Sequence, residues 1–219
     1  MKRKTWLGII GTGGHAKVIR DVFRSMNKQF KFVYFSAVLP EQGTFFDEKV
    51  YPDNPDLLLT YFPCIHRWHV AIGNQQARRK KTEFLSNHSK HIIPAVHRYS
   101  VVADSVRISE GAAVMAGAVI NPDTYIGKGC IVNTSASIDH DCHIGDFVNI
   151  GPGCNLAGGV AVGEMTQLGT GTVIIPNVTI GRHCIAGAGS VIISDIEDYS
   201  VVVGVPARTV RKIIPTSGG

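Results

Sequence analysis

The sequence predicts two architectures in series: a small open α/β sheet over residues 1–93 and a parallel β-helix over residues 94–219. Two observations carry this. Aliphatic residues recur with period six through the second segment. The first segment alternates strand-like and helix-like runs, beginning with a strand, a glycine turn and an amphipathic helix.

The repeat is strict. Every position from 96 to 180 divisible by six is Val, Ile or Leu, from Val96 through Ile138 and Ile144 to Ile180. From Val106 onward, two residues before each aliphatic stands a small or β-branched residue, including Ala112, Ala118, Thr124, Cys130, Ala136, Cys142, Cys154, Thr166, Thr172, Cys184 and Ser190. Both sets read as inward side chains, so four of the five cysteines are small core residues rather than reactive thiols. Glycine follows the aliphatic at Gly127, Gly145, Gly151, Gly163, Gly169, Gly181 and Gly187, where a tight corner would need it. Three short strands joined by corners make a coil of about 18 residues, and coils stack about 4.8 Å apart as parallel strands do.

In the first segment TWLGII reads as a buried strand, GTGGHA as a turn and KVIRDVFRSM as a helix. There follow a strand at 31–38, a short helix around DLLLTYF, a strand WHVAIG and a helix QQARRKKTEFLSNH. This alternation is Rossmann-like. Gly11, Gly13 and Ala16 fit the glycine spacing that lets a backbone approach phosphate at a helix N-terminus. A dinucleotide site also wants a carboxylate at the end of the second strand to hold a ribose, and Phe35-Ser36 stands there, which argues against NAD.

Composition narrows the function classes. A net charge of +5 from 22 basic and 17 acidic residues mildly favours small anions, without the basic block of a nucleic-acid binder. The densest clusters, RRKK at 78–81 and RTVRK at 208–212, read as a solvated helix face and a C-terminal tail. No apolar run approaches the roughly 20 residues of a membrane span, and the N-terminus turns glycine-rich before a signal core develops, so a cytoplasmic location is expected. Five cysteines without CxxC spacing speak against a disulfide framework or a zinc ribbon.

The chemistry-bearing stretch is SIDHDCHIGDFVNI, residues 137–150. On the six-residue grid Ile138, Cys142 and Ile144 point inward, and His140 projects from a corner. One coil later stand Gly158 and Gly159, leaving the space beside His140 nearly free of side chains, with N–H groups placed to face an oxyanion. His140 reads as a metal ligand, a general base or a solvated surface residue. A metal site needs converging ligands, and His183 lies 43 residues from His140 and 40 from His143, neither near a multiple of 18.

The hexad pattern over residues 96–214, including the closing VVVGVPARTVRK, resembles the hexapeptide-repeat acyltransferases, whose coils wind left-handed. The N-terminal domain resembles the nucleotide-sugar-binding domain of bacterial sugar N-acetyltransferases of the bacillosamine and perosamine type and their sialic acid O-acetyltransferase-like relatives. The resemblance implies nucleotide-sugar contacts from the Gly11–His15 loop (Gly13, Gly14, His15), from Ser36, and from the AIGN loop at Gly73 and Asn74. His15 reads equally as a helix N-terminal residue bonding only to backbone. Family members often carry Asp-Asp where Phe35-Ser36 stands, a departure that affects nucleotide contacts there. DHDC resembles the family's catalytic segment, which implies that His140 is the general base, Asp141 the carboxylate that raises its basicity, and His143 a surface residue. It also implies acetyl-CoA as cosubstrate near Asn149, Gly158, Gly169, Thr170, Gly187 and Ala188, between subunits of a homotrimer, with no metal. Many relatives carry His at Asn149, which cannot titrate. Arg182, Arg208 and Arg211 read either as partners of CoA phosphates or as a solvated exit helix or tail. The reaction the resemblance implies is N-acetylation of a nucleotide-linked amino sugar of the 4-amino-4,6-dideoxy kind; the alternatives are sugar O-acetylation and a non-catalytic scaffold.

Overall fold

The computed structural model describes residues 5–26 and 30–214. The chain divides into two compact units, Met1–Arg98 and Tyr99–Gly219. Among the described residues no helix is long and apolar enough to cross a membrane.

The first unit runs β1 (Thr5–Ile10), α1 (Gly14–Ser25), β2 (Phe30–Ser36), β3 (Thr44–Phe45), β4 (Glu48–Pro52), α2 (Pro55–Tyr61), β5 (Arg67–Val70) and α3 (Gln75–Asn87). The sheet order is β3-β4-β2-β1-β5, parallel except for the β3–β4 pair. The continuous apolar run of β1 suits a central strand covered on both faces. Gly8 within it makes room for Trp68, whose ring would lie 2.5 Å from an added Cβ. Trp68 packs with Phe35, Phe62, Leu58 and Leu85 into a buried cluster.

Three local differences from the sequence reading have physical causes. Helix α1 starts at Gly14, so His15 and Ala16, expected in the turn, occupy its first turn. The β3–β4 hairpin turns through Phe46 and Asp47 in the left-handed region, at φ 51° and 65°, a pair without the Asn-Gly signal that announces such turns. The RRKK cluster is not a solvated face: Arg78 is buried and donates from Nη1 to the carbonyls of Ile72 and Gly73 at 2.8 and 2.7 Å, and Lys81 pairs with Asp53 at 2.8 Å.

The second unit is a three-sided parallel β-helix in which each strand pairs with the one 18 residues on. Its first face carries Val119–Ile120, Ser137–Ile138, Asn155–Leu156 and Val173–Ile174. The second carries Tyr125–Ile126, His143–Ile144, Ala161–Val162 and Thr179–Ile180. The third carries Ile131–Val132, Asn149–Ile150, Gln167–Leu168 and Ile185–Ala186. Both inward sets are buried as the period implies, from Ala112 and Ile120 to Ser190 and Ile192. The inward thiols cap corner carbonyls of the next coil, Cys130 on Gly145 at 2.9 Å and Cys154 on Gly169 at 3.0 Å.

The corners differ from the expectation in one respect. The left-handed residues are not the glycines that follow the aliphatics but those two positions later, including Asp123, Ser135, Asp141, Phe147, Gly153 and Gly159. The glycines after the aliphatics are required by close approach: a Cβ on Gly145 would lie 2.7 Å from the Glu164 nitrogen, and one on Gly151 2.7 Å from the Leu168 oxygen. RTVRK is likewise no loose tail. Ala207–Lys212 returns antiparallel to Ser200–Gly204 and extends the third face at its end.

Gly145→Ala should cost about 1–3 kcal/mol, because the intruding methyl meets backbone that cannot yield. Gly153→Ala, with open space around its Cβ and only a φ of 64° against it, should cost about 1–2 kcal/mol at most, as thermal unfolding would show. His69 is wholly buried against Phe23, with Nδ1 2.9 Å from the Ile93 carbonyl, and burial pushes its pKa down to about 4 from 6.5. Unfolding exposes an imidazole that binds a proton near 6.5, so this contribution to stability is full above that pH and is lost as pH falls toward 4. Melting temperatures of wild type and His69→Gln, measured from pH 7 to 4.5, should converge as pH falls.

Candidate active site

His140 stands on the corner between the first and second faces, and the corner is pinned from inside. Buried Thr124, one coil earlier, donates from Oγ1 to the Asp139 carbonyl at 2.8 Å and accepts from the Cys142 N–H at 3.2 Å. Asp141 takes the left-handed position at φ 58°, which short polar side chains tolerate. Its Oδ2 lies 2.7 Å from His140 Nδ1. The ring packs over the next coil at Gly158, where a Cβ would come within 2.7 Å of its Nε2 and Cε1.

This arrangement fixes the imidazole's chemistry. A carboxylate at Nδ1 favours the tautomer with the proton there, leaving Nε2 with its lone pair as the acceptor. The hydrogen bond to Asp141, then the negative charge of Asp139, hold the imidazole above its ordinary 6.5. The side chain is 61% exposed, so a substrate can reach it. Gly158 therefore houses the imidazole itself rather than leaving space for a ligand. Nor are both glycine N–H groups open to an oxyanion, because Gly159 donates to the His140 carbonyl at 2.9 Å.

His143 lies apart, exposed on the flat second face and stacked on Tyr125 with centroids 4.9 Å apart. No group of three or more His, Cys, Asp or Glu side chains converges to hold a metal among the described residues. The residues expected to meet acetyl-CoA divide between two corners. Gly158 shares the column of His140. Gly169, Thr170, Gly187 and Ala188 stand on the corner between the third and first faces, and Asn149 lies on the third face itself. Within one chain the first face separates the two sets. Gly169 and Gly187 also have a packing reason to be glycine, since a Cβ on Gly169 would lie 2.6 Å from the Ala188 nitrogen and one on Gly187 2.8 Å from Val203. Thr170 and Ala188 are exposed. Arg182 bonds Asp198 through Nε at 3.0 Å, Arg208 turns onto the Ala207 carbonyl at 2.9 Å, and both Arg208 and Arg211 belong to the final strand rather than to a helix or tail.

In the first unit, the β1–α1 and β5–α3 loops meet at the carboxyl ends of adjacent strands. Gly11, at φ 117°, would press a Cβ 2.6 Å from the Ala71 carbonyl. Gly13 and Gly14 have open space around them, so the N-terminus of α1, which has no side-chain cap, is uncovered for an anion. Gly73 approaches the His15 Cβ, and Asn74 caps α3 by accepting from Ala77 N–H at 2.9 Å. Ser36 is buried, accepting from Thr12 Oγ1 at 2.9 Å and donating to the Val38 carbonyl at 2.7 Å. Burial, with the charges of His69 and Arg78, pushes His15 down to about 3, so it is a neutral imidazole at physiological pH.

Sequence reasoning missed Asp139 and Asn121. Asp139 Oδ1 accepts from the His140 backbone N–H and from Asn121 Nδ2, both at 2.8 Å. The signal was available: residue 139 is one 18-residue coil beyond residue 121.

Comparison with known proteins agrees with this layout. Residues 7–85 match the PglD N-terminal domain. A solved structure of PerB from Caulobacter crescentus in complex with CoA and GDP-perosamine is 38% identical, covering 95% of this chain and 98% of that one with a TM-score of 0.86. The acetyltransferase domain of PglB from Neisseria gonorrhoeae in complex with acetyl coenzyme A is 34% identical, covering 95% and 100%, with a TM-score of 0.87. UDP-N-acetylbacillosamine N-acetyltransferase of Bacillus subtilis (strain 168) is 35% identical over 115 residues, 50% of this chain and 51% of the relative, so the match spans about half the length of that curated protein. With a PglD-type α/β unit ahead of hexapeptide coils and the two solved relatives matched nearly end to end, the chain belongs to the left-handed β-helix nucleotide-sugar N-acetyltransferases of the bacillosamine and perosamine type.

Proposed function

We propose that this chain transfers an acetyl group from acetyl-CoA to the amino group of a nucleotide-linked 4-amino-4,6-dideoxy sugar, with His140 as general base. The observation that carries the reading is the 2.7 Å bond between His140 Nδ1 and Asp141, which leaves Nε2 of an exposed side chain as the available base. Relatives matched nearly end to end bind CoA with GDP-perosamine, or acetyl coenzyme A.

Bound acetyl-CoA supplies the activated acyl thioester. The protein's share is to take a proton from the attacking nitrogen at His140 Nε2 while Asp141 stabilises the imidazolium, and to return that proton as the thiol leaves. No Ser or Cys nucleophile is needed, and transfer is direct. The acceptor's nucleotide is assigned to the first unit, its phosphates at the N-terminus of α1 and its contacts at Gly13, Gly14, His15, Ser36, Gly73 and Asn74. The division of the acetyl-CoA residues between two corners supports a homotrimer, in which the His140 corner of one subunit faces the Gly169–Ala188 corner of another.

A panel of nucleotide-linked amino sugars and their hydroxyl counterparts, offered with acetyl-CoA and read by thiol release, tests the reaction; turnover of hydroxyl acceptors alone would favour O-acetylation. His140→Ala should lower kcat/KM by roughly 10² to 10⁴ with the melting temperature nearly unchanged, because the ring takes no part in the interior. The neutral imidazole is the active form, so kcat/KM should fall on the acid side at a pKa above 6.5, and Asp141→Asn should move that limb downward. A limb that stays in place would remove Asp141 from the mechanism.

A further inference from the structure

We infer that Asn121 is a positioning residue for the reaction, acting on His140 through Asp139 across one coil of the β-helix; this rests on the general-base reading of His140. Hydrogen bonds between residues 18 apart recur along the helix as staples, such as Ser137 to Asn155 at 2.8 Å and Lys128 N–H to Asp146 at 2.7 Å. The Asn121–Asp139 bond differs in what its acceptor does next. One oxygen, Asp139 Oδ1, takes both the Asn121 amide and the His140 backbone N–H, each at 2.8 Å. The carboxylate is thereby folded back over the corner, with its charge close enough to the imidazole to raise its pKa.

The neighbours in the same column, Ala103 before and Ala157 after, have no polar side chain. The pair is thus a local device rather than part of a continuous polar ladder. With Thr124 pinning the Asp139 carbonyl and the Cys142 N–H from the interior, Asn121 supplies the outer anchor. An amide donor suits the position: it holds the carboxylate without adding a charge, and its hydrogen bond keeps Asp139 ionised, below the ordinary carboxylate value.

The test is to titrate the His140 imidazole by NMR in the full chain, alongside the pH profile of kcat/KM. Asn121→Ala should lower the His140 pKa toward 6.5, move the acid limb by the same amount and reduce kcat several-fold, with KM for acetyl-CoA unchanged. Asp139→Asn retains an acceptor oxygen for both donors while removing the charge, so it should lower the His140 pKa with little change in melting temperature; this variant decides the matter should Asn121→Ala fail to fold. A His140 pKa and acid limb unmoved in Asn121→Ala would overturn the inference, leaving Asn121 a staple like the others, and so would a pKa unmoved in Asp139→Asn, since the coupling runs through that carboxylate. Because the titration needs no turnover, a shifted pKa in a protein that acetylates no amino sugar would uphold the coupling and refute the proposed function alone.

Discussion

Backbone hydrogen bonding from each residue to the coil 18 positions on decides which side chains in the second unit can meet. Asp139 N–H bonds the Leu156 carbonyl, Gly159 N–H the His140 carbonyl and Asn121 N–H the Ile138 carbonyl. A slip of one residue would turn each inward aliphatic outward, which the buried interior forbids. The apolar ladder therefore holds not only the prism but two adjacent columns, one carrying Asn121 and Asp139 and the next carrying His140 and Gly158. Chemistry placed on such a corner costs the core little, because the interior ends at Ile138 and Cys142 on either side.

The same register explains why a glycine and a histidine occupy neighbouring coils. A Cβ at Gly158 would press to 2.7 Å from Cε1 and Nε2 of His140, so its absence lets the imidazole pack over the next coil while bonded to the carboxylate that orients it. At the corner between the second and third faces the left-handed sites are instead filled by Phe147, Met165 and His183, the last stacked on Tyr199 with centroids 5.0 Å apart. That corner is packed, whereas the His140 corner is kept open.

Much of this was legible in the sequence because the governing period is short and unbroken. Val96 to Ile180 fixed the interior, and His140 followed as an outward corner residue. Less legible were features that depend on atoms several residues off the grid. The glycines after the aliphatics look like turn formers but are demanded by backbone of the next coil, and the left-handed corner positions include Phe147 and Met165, which no turn propensity announces. Arg78 in RRKK looked solvated, yet it is buried beneath the Ile72 and Gly73 carbonyls it caps. The β3–β4 hairpin had no turn signal at all. Asn121 was visible only by counting back one coil from Asp139.

The central claim is that His140 Nε2 receives the proton of the attacking amine. A crystal structure of the protein with CoA and the nucleotide-linked amino sugar that it turns over tests this most directly. The account predicts the sugar nitrogen at hydrogen-bonding distance, about 2.6–3.2 Å, from His140 Nε2. A sugar nitrogen seated against His143 or any other base, with His140 Nε2 facing solvent, would contradict it.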